Sequence, residues 1–465
     1  MNIRSEYKKQ IVLIEDEAER TLVKEYTEGL INLREELRND IPSTTYLTHA
    51  IHNVYPAKFI PQVPRFVIKN FNLKGKVILD PFAGSGTTAV ESLITGNSNI
   101  SNDINPLTSF LINVKTMKLD PSNYFAYVNR LNNLVEFVFK GDSKFSPKWA
   151  NLGYWYPKDI LQVLTKVWGG IHSIDESERP IKELLKVGAL YISRKYSYGE
   201  DKSPKLFKSK QKTVRMRDLL DKFKHFGEQL LQNELSKKTK EYLDCAIQLN
   251  SNYSLNYRKI DSLEDRDDLF LLTLTKSIDE LEQVLPEGSV DCIITSPPYI
   301  YAQEYFRSTK IDLYWLNLAD DESIRKLTKE EIGQKSQSFY LDDMLSEIQT
   351  YSYDFEIIKE LAQRFKTREN ISRFAAYFGD MLYFIQLSAK LLSKRGLLAV
   401  FVGEPKVFGH HVRVKDILVE MMAQNNFNIQ SALFDSIKGR HLSKNRLNVN
   451  PSGIPGEWLI IGEKL

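Results

Sequence analysis

The sequence predicts an α/β protein whose strands form a mostly parallel, doubly wound sheet. Seven short apolar runs have the length and composition of buried strands. Helical patterns separate most of these runs, and such an order places helices on both faces of a parallel sheet. A glycine-rich turn directly follows the first run. The seven predicted strands span residues 76–80, 99–103, 269–275, 290–295, 397–403, 429–434 and 458–462.

The first strand ends at Asp80 and leads into a glycine turn that opens a helix predicted over 87–96. Gly84 and Gly86 allow a tight turn and close approach of the backbone to a ligand. No Lys-Ser or Lys-Thr pair follows the glycines, so the loop is not a Walker phosphate site. The second strand ends at Asp103, about 20 residues further on, where α/β cofactor folds bind ribose hydroxyls. Together these features predict a site for a cofactor that carries adenosine but no phosphates.

The fourth strand runs directly into Ser296-Pro297-Pro298-Tyr299. Two consecutive prolines cannot continue a strand ladder, so the chain leaves the sheet at its carboxyl edge in a stiff conformation. The proline carbonyls and the Ser296 hydroxyl can hold an amino group, and Tyr299 offers a face on which a nucleobase can stack. The alternative is a plain turn after a buried strand, which would be the better interpretation if this segment stood alone.

Helices are predicted over 373–394 and 412–424, on either side of the fifth strand. The last two strands are joined by a long polar segment without a helix, which predicts an antiparallel hairpin at the edge of the sheet. The two cysteines, Cys245 and Cys292, lack metal-ligand spacing, and no metal site is predicted.

The span 119–267 is too long for a simple crossover between the second and third strands. Helical periodicity over 158–168, 181–192 and 214–235 indicates a largely helical inserted domain. In the first of these helices Pro157 suits the start and Gly169-Gly170 the end.

Two further segments lie outside this scheme. Alternating acids and bases over 10–38 predict a solvated packing helix, so residues 1–45 are expected to form an N-terminal helical segment. A second insertion, over about 320–369, contains a polar and aromatic run at 333–340. That run is consistent with a DNA clamp or lid, and equally with an ordinary surface excursion.

The net charge of +3 is too small to indicate a polyanionic partner, but basic residues are concentrated in one segment. Such a segment can neutralise backbone phosphates of nucleic acid, and nearby aromatic residues can reach bases. The alternative is a solvated charged loop. The basic residues are Lys202, Lys205, Lys208, Lys210, Lys212, Arg215 and Arg217.

The composition is that of an ordinary globular protein, with 42% hydrophobic residues. No apolar run reaches the length of about 18 residues that spans a bilayer, and no apolar core of a signal peptide follows the charged N-terminus. A cytoplasmic location without membrane association is therefore expected.

The two main motifs, DPFAGSGTT at 80–88 and TSPPY at 295–299, resemble the cofactor and catalytic signatures of the DNA amino-methyltransferases. A third segment, over 52–64, looks like the motif with which that family covers the methionine end of its cofactor. The resemblance extends over 46–118, the cofactor-binding part, and 268–465, the catalytic part. It implies a Rossmann-like seven-stranded methyltransferase sheet, interrupted by the insert at 119–267.

The resemblance also implies a site. The cofactor would be S-adenosylmethionine, held by Tyr55, Lys58, Phe59, Asp80, Pro81, Phe82, Gly84, Gly86, Thr87, Asp103 and Ile104. The catalytic residues would be Ser296, Pro297, Pro298 and Tyr299.

The implied substrate is a base flipped out of double-stranded DNA, with the basic insert as target-recognition region and a cognate restriction endonuclease as a further candidate partner. Serine as the first loop residue favours cytosine N4 over adenine N6. An RNA or protein amino-methyltransferase, and a DNA-binding protein on an inactive scaffold, remain open alternatives. Relatives often have Gly-Asp before the catalytic strand, whereas this chain has Lys276-Ser277. The oligomeric state is not indicated.

Overall fold

The computed structural model describes residues 8–15, 21–41, 47–52, 55–56, 58, 60–201, 205–265, 268–300, 305–332, 368–407, 410–436 and 454–465. Its strands are β1 (Lys8–Glu15), β2 (Thr21–Ile31), β3 (Val77–Asp80), β4 (Ser98–Asn102), β5 (Arg258–Ile260), β6 (Phe270–Leu274), β7 (Val290–Thr295), β8 (Leu392–Gly403), β9 (Lys406–Val407), β10 (His410–His411), β11 (Phe427–Ser436) and β12 (Gly456–Lys464).

Ten of these strands form one sheet, in the order β1-β2-β11-β12-β8-β7-β3-β4-β6-β5. Six neighbouring strands are mutually parallel, in the sheet order β8-β7-β3-β4-β6-β5. β12 runs antiparallel to both of its neighbours. The predicted α/β class, the seven predicted strands and the antiparallel hairpin of the last two are therefore confirmed. The expected place of that hairpin at the edge of the sheet is wrong, because β2 pairs with β11 and β1 forms the edge. The order of the strands reverses between β3 and β7, and open α/β sheets bind their ligands at such a reversal.

The helices have the following bounds in the described residues: α1 (Leu33–Glu36), α2 (Gln62–Asn70), α3 (Thr87–Ile94), α4 (Leu107–Lys115), α5 (Tyr124–Lys140), α6 (Leu152–Trp155), α7 (Lys158–His172), α8 (Arg179–Lys195), α9 (Lys210–Asn252), α10 (Leu281–Val284), α11 (Tyr305–Trp315), α12 (Asp321–Glu330), α13 (Arg368–Leu391) and α14 (Val414–Gln424). None of these helices combines the length and apolar character needed to cross a membrane.

The insert is largely helical, as predicted, and consists mainly of α5, α7, α8 and α9. Its core includes the indole of Trp168, which stacks on Trp315 with the ring centroids 5.7 Å apart. Trp315 lies on α11, which follows the catalytic loop, and its Nε1 donates to the Tyr156 hydroxyl at 2.8 Å. Because α11 contributes to the core of the insert, the insert and the catalytic part share a packed interface.

The second predicted insertion is described only in part. Its first residues form α12, whereas its polar and aromatic run at 333–340 lies outside the described residues.

The predicted N-terminal helical segment is wrong. β1 and β2 form an antiparallel hairpin, and β2 also pairs in parallel with β11, extending the sheet. The charge alternation that suggested a helix lies on a sequence rich in β-branched residues, which favour a pleated strand once an edge is available for pairing. Among the described residues of the predicted 10–38 helix, which leave out 16–20, only the four residues of α1 are helical.

Gly169 and Gly170 do not end α7 but lie inside it, so that expectation is also wrong. A Cβ at Gly169 would lie 2.4 Å from the Ser143 carbonyl oxygen, and one at Gly170 would lie 2.7 Å from the Val138 Cα. These glycines allow neighbouring backbone to pack closely against the helix. α9 is also longer than the predicted 214–235 helix and includes the C-terminal part of the basic segment.

Candidate active site

The two main motifs meet where the carboxyl ends of β3 and β7 adjoin. Asp80 ends β3, and its Oδ1 accepts a hydrogen bond from the Thr295 hydroxyl at the end of β7, at 2.6 Å. Its Oδ2 accepts from the Thr88 hydroxyl at 2.7 Å, and the Phe82 amide donates to Oδ1 at 3.2 Å. Asp80 thus joins the glycine loop, the first turn of α3 and the strand that leads into Ser296.

Asp80 has no solvent exposure. Burial raises the pKa of Asp80 to about 6, although the hydrogen bonds from Thr295, Thr88 and Phe82 favour the ionised form. Its predicted role as a cofactor contact is therefore better described as bracing, because the carboxylate lies beneath the loop with each oxygen already accepting hydrogen bonds.

The glycine loop has the conformation that its composition predicted. Gly84 and Gly86 have φ values of +51° and +80°, in the left-handed region that favours glycine. The Gly84 amide donates to Asp103 Oδ2 at 2.8 Å, and the Asn105 amide donates to Oδ1 at 2.8 Å. A Cβ at Gly86 would lie 2.4 Å from Ile112 Cγ1 on α4. Absence of a side chain here lets the loop pack closely against α4.

Asp103 is partly exposed, unlike Asp80. Burial nevertheless raises the pKa of Asp103 to about 6, against hydrogen bonds from the Asn105 and Gly84 amides and the Thr108 side chain. A carboxylate can accept about four hydrogen bonds, so Asp103 keeps capacity for a ribose hydroxyl donor. The carboxylate and the two glycines therefore fit an adenosine-bearing cofactor, whose sugar would lie beside Asp103 at the mouth of the loop.

The segment expected at the methionine end is adjacent to this loop. Tyr55 is buried, and its Cε1 would lie 3.3 Å from a Cβ at Gly84. Burial raises the pKa of the Tyr55 phenol well above its ordinary value, so the hydroxyl stays protonated. Burial also lowers the pKa of Lys58 to about 8. Phe59 lies outside the described residues.

Of the remaining predicted cofactor residues, Pro81 and Thr87 are buried in the turn and the start of α3. Phe82 packs edge-on against Phe384 of α13, with ring centroids 5.2 Å apart, and Ile104 is partly exposed next to Asp103.

Before the catalytic strand, Glu280 forms a capping box with Ser277. Its Oε2 accepts hydrogen bonds from the Ser277 amide at 2.9 Å and from the Ser277 hydroxyl at 3.1 Å. The Lys276 amide in turn donates to the Asn102 side chain at the end of β4, at 3.1 Å. The Ser277 hydroxyl is thus engaged within its own turn.

In the catalytic loop, Pro297 is buried, while Ser296, Pro298 and Tyr299 are partly exposed. The Tyr299 hydroxyl donates to Oε1 of Glu457 on β12 at 2.6 Å. Burial, reinforced by the Glu457 charge, raises the pKa of Tyr299 well above its ordinary value. The phenol is therefore protonated at neutral pH.

Three residues that contact the two loops were missed by the sequence reasoning. Thr295 and Thr88 stand inside the quoted motifs, so their hydroxyls offered a signal. Glu457, whose carboxylate accepts from the Tyr299 hydroxyl, belongs to no motif. Only the folded chain brings it to the catalytic loop.

The predicted basic segment divides into buried and exposed parts. Lys208 packs between the rings of Tyr154 and Tyr198, with Nζ 4.3 Å from each centroid. Lys212 is buried, and its Nζ contacts Asp201 Oδ1 at 2.5 Å. The expectation that Lys212 contacts DNA is contradicted by this burial. Lys205 is partly buried, Lys210 and Arg215 are exposed, Lys202 lies outside the described residues, and so does the side chain of Arg217.

The basic segment adjoins the catalytic half of the protein through α11. Arg307 Nε donates to the Leu206 carbonyl at 3.0 Å. Arg194 of α8 forms a buried ion pair with Asp312 of α11 at 2.8 Å. Burial alone would raise the pKa of Asp312, but Arg194 and His52 outweigh it and hold the pKa below its ordinary value. These contacts join the insert to α11, the helix that follows the catalytic loop.

Comparison with known proteins agrees with these motifs. A family model described as DNA methylase, for the N6 and N4 methyltransferases, matches residues 12–109, which include the glycine loop. A type II methyltransferase from Kocuria varians is 24% identical over 65% of this chain and 65% of its own length. One from Methanocaldococcus jannaschii is 30% identical over 40% of this chain and 37% of its own length. One from Geobacillus stearothermophilus is 22% identical over 81% of this chain and 78% of its own length.

The resemblance to the DNA amino-methyltransferases is confirmed. The matches to the first two relatives each span less than two thirds of the relative's length. A solved structure of a candidate DNA modification methylase from Thermus thermophilus, complexed with S-adenosyl-L-methionine, matches 40% of this chain and 53% of its own, with 14% identity and a TM-score of 0.21. At that score the match adds nothing to the topology described above.

Proposed function

We propose that this protein is an S-adenosylmethionine-dependent DNA methyltransferase that acts on an exocyclic amino group, with cytosine N4 as its target. The observation that carries the proposal is the hydrogen bond between Asp80 and Thr295. It holds the end of the cofactor loop against the end of the catalytic strand, so that a methyl donor and an amine acceptor bound at the two motifs would be neighbours. Such positioning supplies a large part of the rate acceleration in a two-substrate reaction.

The cofactor supplies a methyl group bound to a positively charged sulfur. On the protein side, Asp103 would accept hydrogen bonds from the ribose, and the glycine loop allows close approach to the backbone. The base would be flipped out of the duplex, at a cost of a few kcal/mol, and would stack on Tyr299. Ser296 and the Pro297 carbonyl would accept hydrogen bonds from the amine and leave its lone pair directed at the methyl group. As the nitrogen–carbon bond forms, the carbon–sulfur bond would break with its electron pair staying on sulfur, and the methylated nitrogen would release a proton to solvent.

The choice of cytosine rests on Ser296, because serine at this position is the commoner residue among N4-cytosine enzymes of the resembled family. The DNA substrate is supported by the similarity to type II methyltransferases and by exposed Lys210 and Arg215. The same similarity supports extending the proposal to a restriction endonuclease as partner and a role in a restriction-modification system.

The test is to incubate the protein with S-adenosylmethionine and unmethylated phage DNA, digest the DNA to nucleosides and identify the product by mass spectrometry. N4-methylcytosine supports the proposal, and N6-methyladenine would replace cytosine by adenine as target. Unmodified DNA together with labelled RNA or protein would refute the DNA substrate.

Two variants test the assigned roles in the same assay. Ser296→Ala and Tyr299→Ala should each abolish turnover and leave cofactor affinity, measured by calorimetry, nearly unchanged. A parallel loss of cofactor affinity would show that these residues do not form the base pocket.

A further inference from the structure

The catalytic tyrosine extends across two neighbouring strands. Tyr299 follows β7, and its ring lies over Gly403 of β8, where an added Cβ would be 3.0 Å from Tyr299 Cε2. Glu457 of β12 is the direct register partner of Gly403. Glycine at this position therefore lets the ring pass over β8, so that its hydroxyl reaches the Glu457 carboxylate at 2.6 Å.

The hydrogen bond of the Tyr299 hydroxyl has a defined direction. An ionised carboxylate only accepts hydrogen bonds, so the phenol must donate its one hydrogen to Glu457. A short bond to a charged acceptor is strong, and it fixes the ring relative to β8 and β12.

We propose that Glu457 is a positioning residue that holds the Tyr299 ring for the target base. This inference rests on the proposed function and adds a residue on a distant strand to it. A base stacked on a ring held in one orientation keeps its amine in line with the methyl group, whereas a ring free to turn would lose that alignment.

The test is a double-mutant cycle on methyl transfer to phage DNA. Glu457→Gln keeps the shape of the side chain but lets it donate as well as accept, and Tyr299→Phe removes the linking hydroxyl. Each change should lower kcat roughly 10- to 100-fold, the range expected for a hydrogen bond to a charged group, with cofactor affinity unchanged. The double variant should be no slower than the slower single variant.

Glu463→Gln is the matched control, because Glu463 lies on the same strand and pairs with Arg395 at the surface. It should leave kcat unchanged. Losses that multiply in the double variant would overturn the inference, because Glu457 would then act independently of the Tyr299 hydroxyl. An unaltered kcat in Glu457→Gln would overturn it as well.

A second readout does not depend on activity. In protein labelled with carbon-13 at tyrosine Cζ, the resonance lost in Tyr299→Phe identifies Tyr299. Its shift should move in Glu457→Gln and stay in place in Glu463→Gln. If the wild type methylates no DNA while this shift moves, the proposed function fails although the contact exists. If the shift does not move, Glu457 does not hold Tyr299 and the inference is overturned.

Discussion

Replacement of Gly86 by alanine tests whether the glycine loop owes its shape to the absence of a side chain. At φ +80° the left-handed backbone conformation costs an alanine residue roughly 1–2 kcal/mol. Its Cβ would also lie 2.4 Å from Ile112 Cγ1, well inside the contact distance of about 3.5–4.0 Å. Relief of such an overlap in a packed core costs about 1–3 kcal/mol. The free energy of unfolding should therefore fall by roughly 2–5 kcal/mol.

Gly96 provides the matched control at the other end of α3. Its φ is +76°, but an added Cβ would meet nothing within 4 Å. Gly96→Ala should therefore lose only the backbone part, roughly 1–2 kcal/mol. Urea denaturation followed by circular dichroism measures both losses. Calorimetry should show a cofactor affinity at least about tenfold weaker in Gly86→Ala and unchanged in Gly96→Ala, since a displacement cost of about 1.4 kcal/mol is already tenfold.

The overlap itself can be removed by Ile112→Ala. Because the two changes share one contact, the double variant should be more stable than the sum of the single losses by about 1–3 kcal/mol. The steric explanation would be refuted if Gly86→Ala and Gly96→Ala lowered the free energy of unfolding equally. Strictly additive losses of that free energy in the Gly86→Ala and Ile112→Ala double variant would also refute it.

Three further predictions concern charged groups. Burial raises the pKa of Asp103 to about 6, and the ionised carboxylate is the better acceptor, so cofactor affinity should fall by at most tenfold per pH unit below about pH 6. Asp103→Asn should flatten this profile in calorimetry from about pH 5 to 8. An unchanged slope would contradict the role of Asp103 in cofactor binding. Lys210→Ala should reduce the salt dependence of DNA binding, measured by fluorescence anisotropy, by a slope of about one. Lys212→Ala should leave that slope unchanged and lower the melting temperature, because Lys212 is buried against Asp201; the opposite pattern would reverse the two assignments. Arg65→Met should cost roughly 3–5 kcal/mol in urea denaturation, because it leaves the Glu91 carboxylate buried without its guanidinium partner, and a loss below about 1 kcal/mol would contradict that pairing.

The motifs could be found from sequence because each is a local feature. A strand that ends in Asp80 and leads into two glycines requires a particular backbone conformation, and consecutive residues specify that conformation. The same holds for Ser296 to Tyr299, where two prolines fix the exit from β7. Position in the site was less predictable, since Asp80 proved to brace the loop from below while Asp103 lies at its mouth.

Charge patterns were the weakest guide to structure. The basic segment was treated as one surface, yet Lys212 is buried because Asp201 is close enough to pair with it. The N-terminal hairpin was mistaken for a helix because its partner, β11, lies about 400 residues away in sequence. Strand pairing over such a separation leaves no periodic signal in the strand itself, and the available sheet edge overrides local propensity.

By itself the sequence determined the α/β class, the two loops and the chemistry they suggest, because these depend on residues adjacent in the chain. Only the tertiary structure decided which groups join the loops into one site. Thr295 reaches Asp80 because β7 lies beside β3. Glu457 reaches Tyr299 because β12 lies beside β8, whose Gly403 leaves room for the tyrosine ring. Hydrogen bonds across neighbouring strands depend on strand order, which folding sets through the burial of both sheet faces.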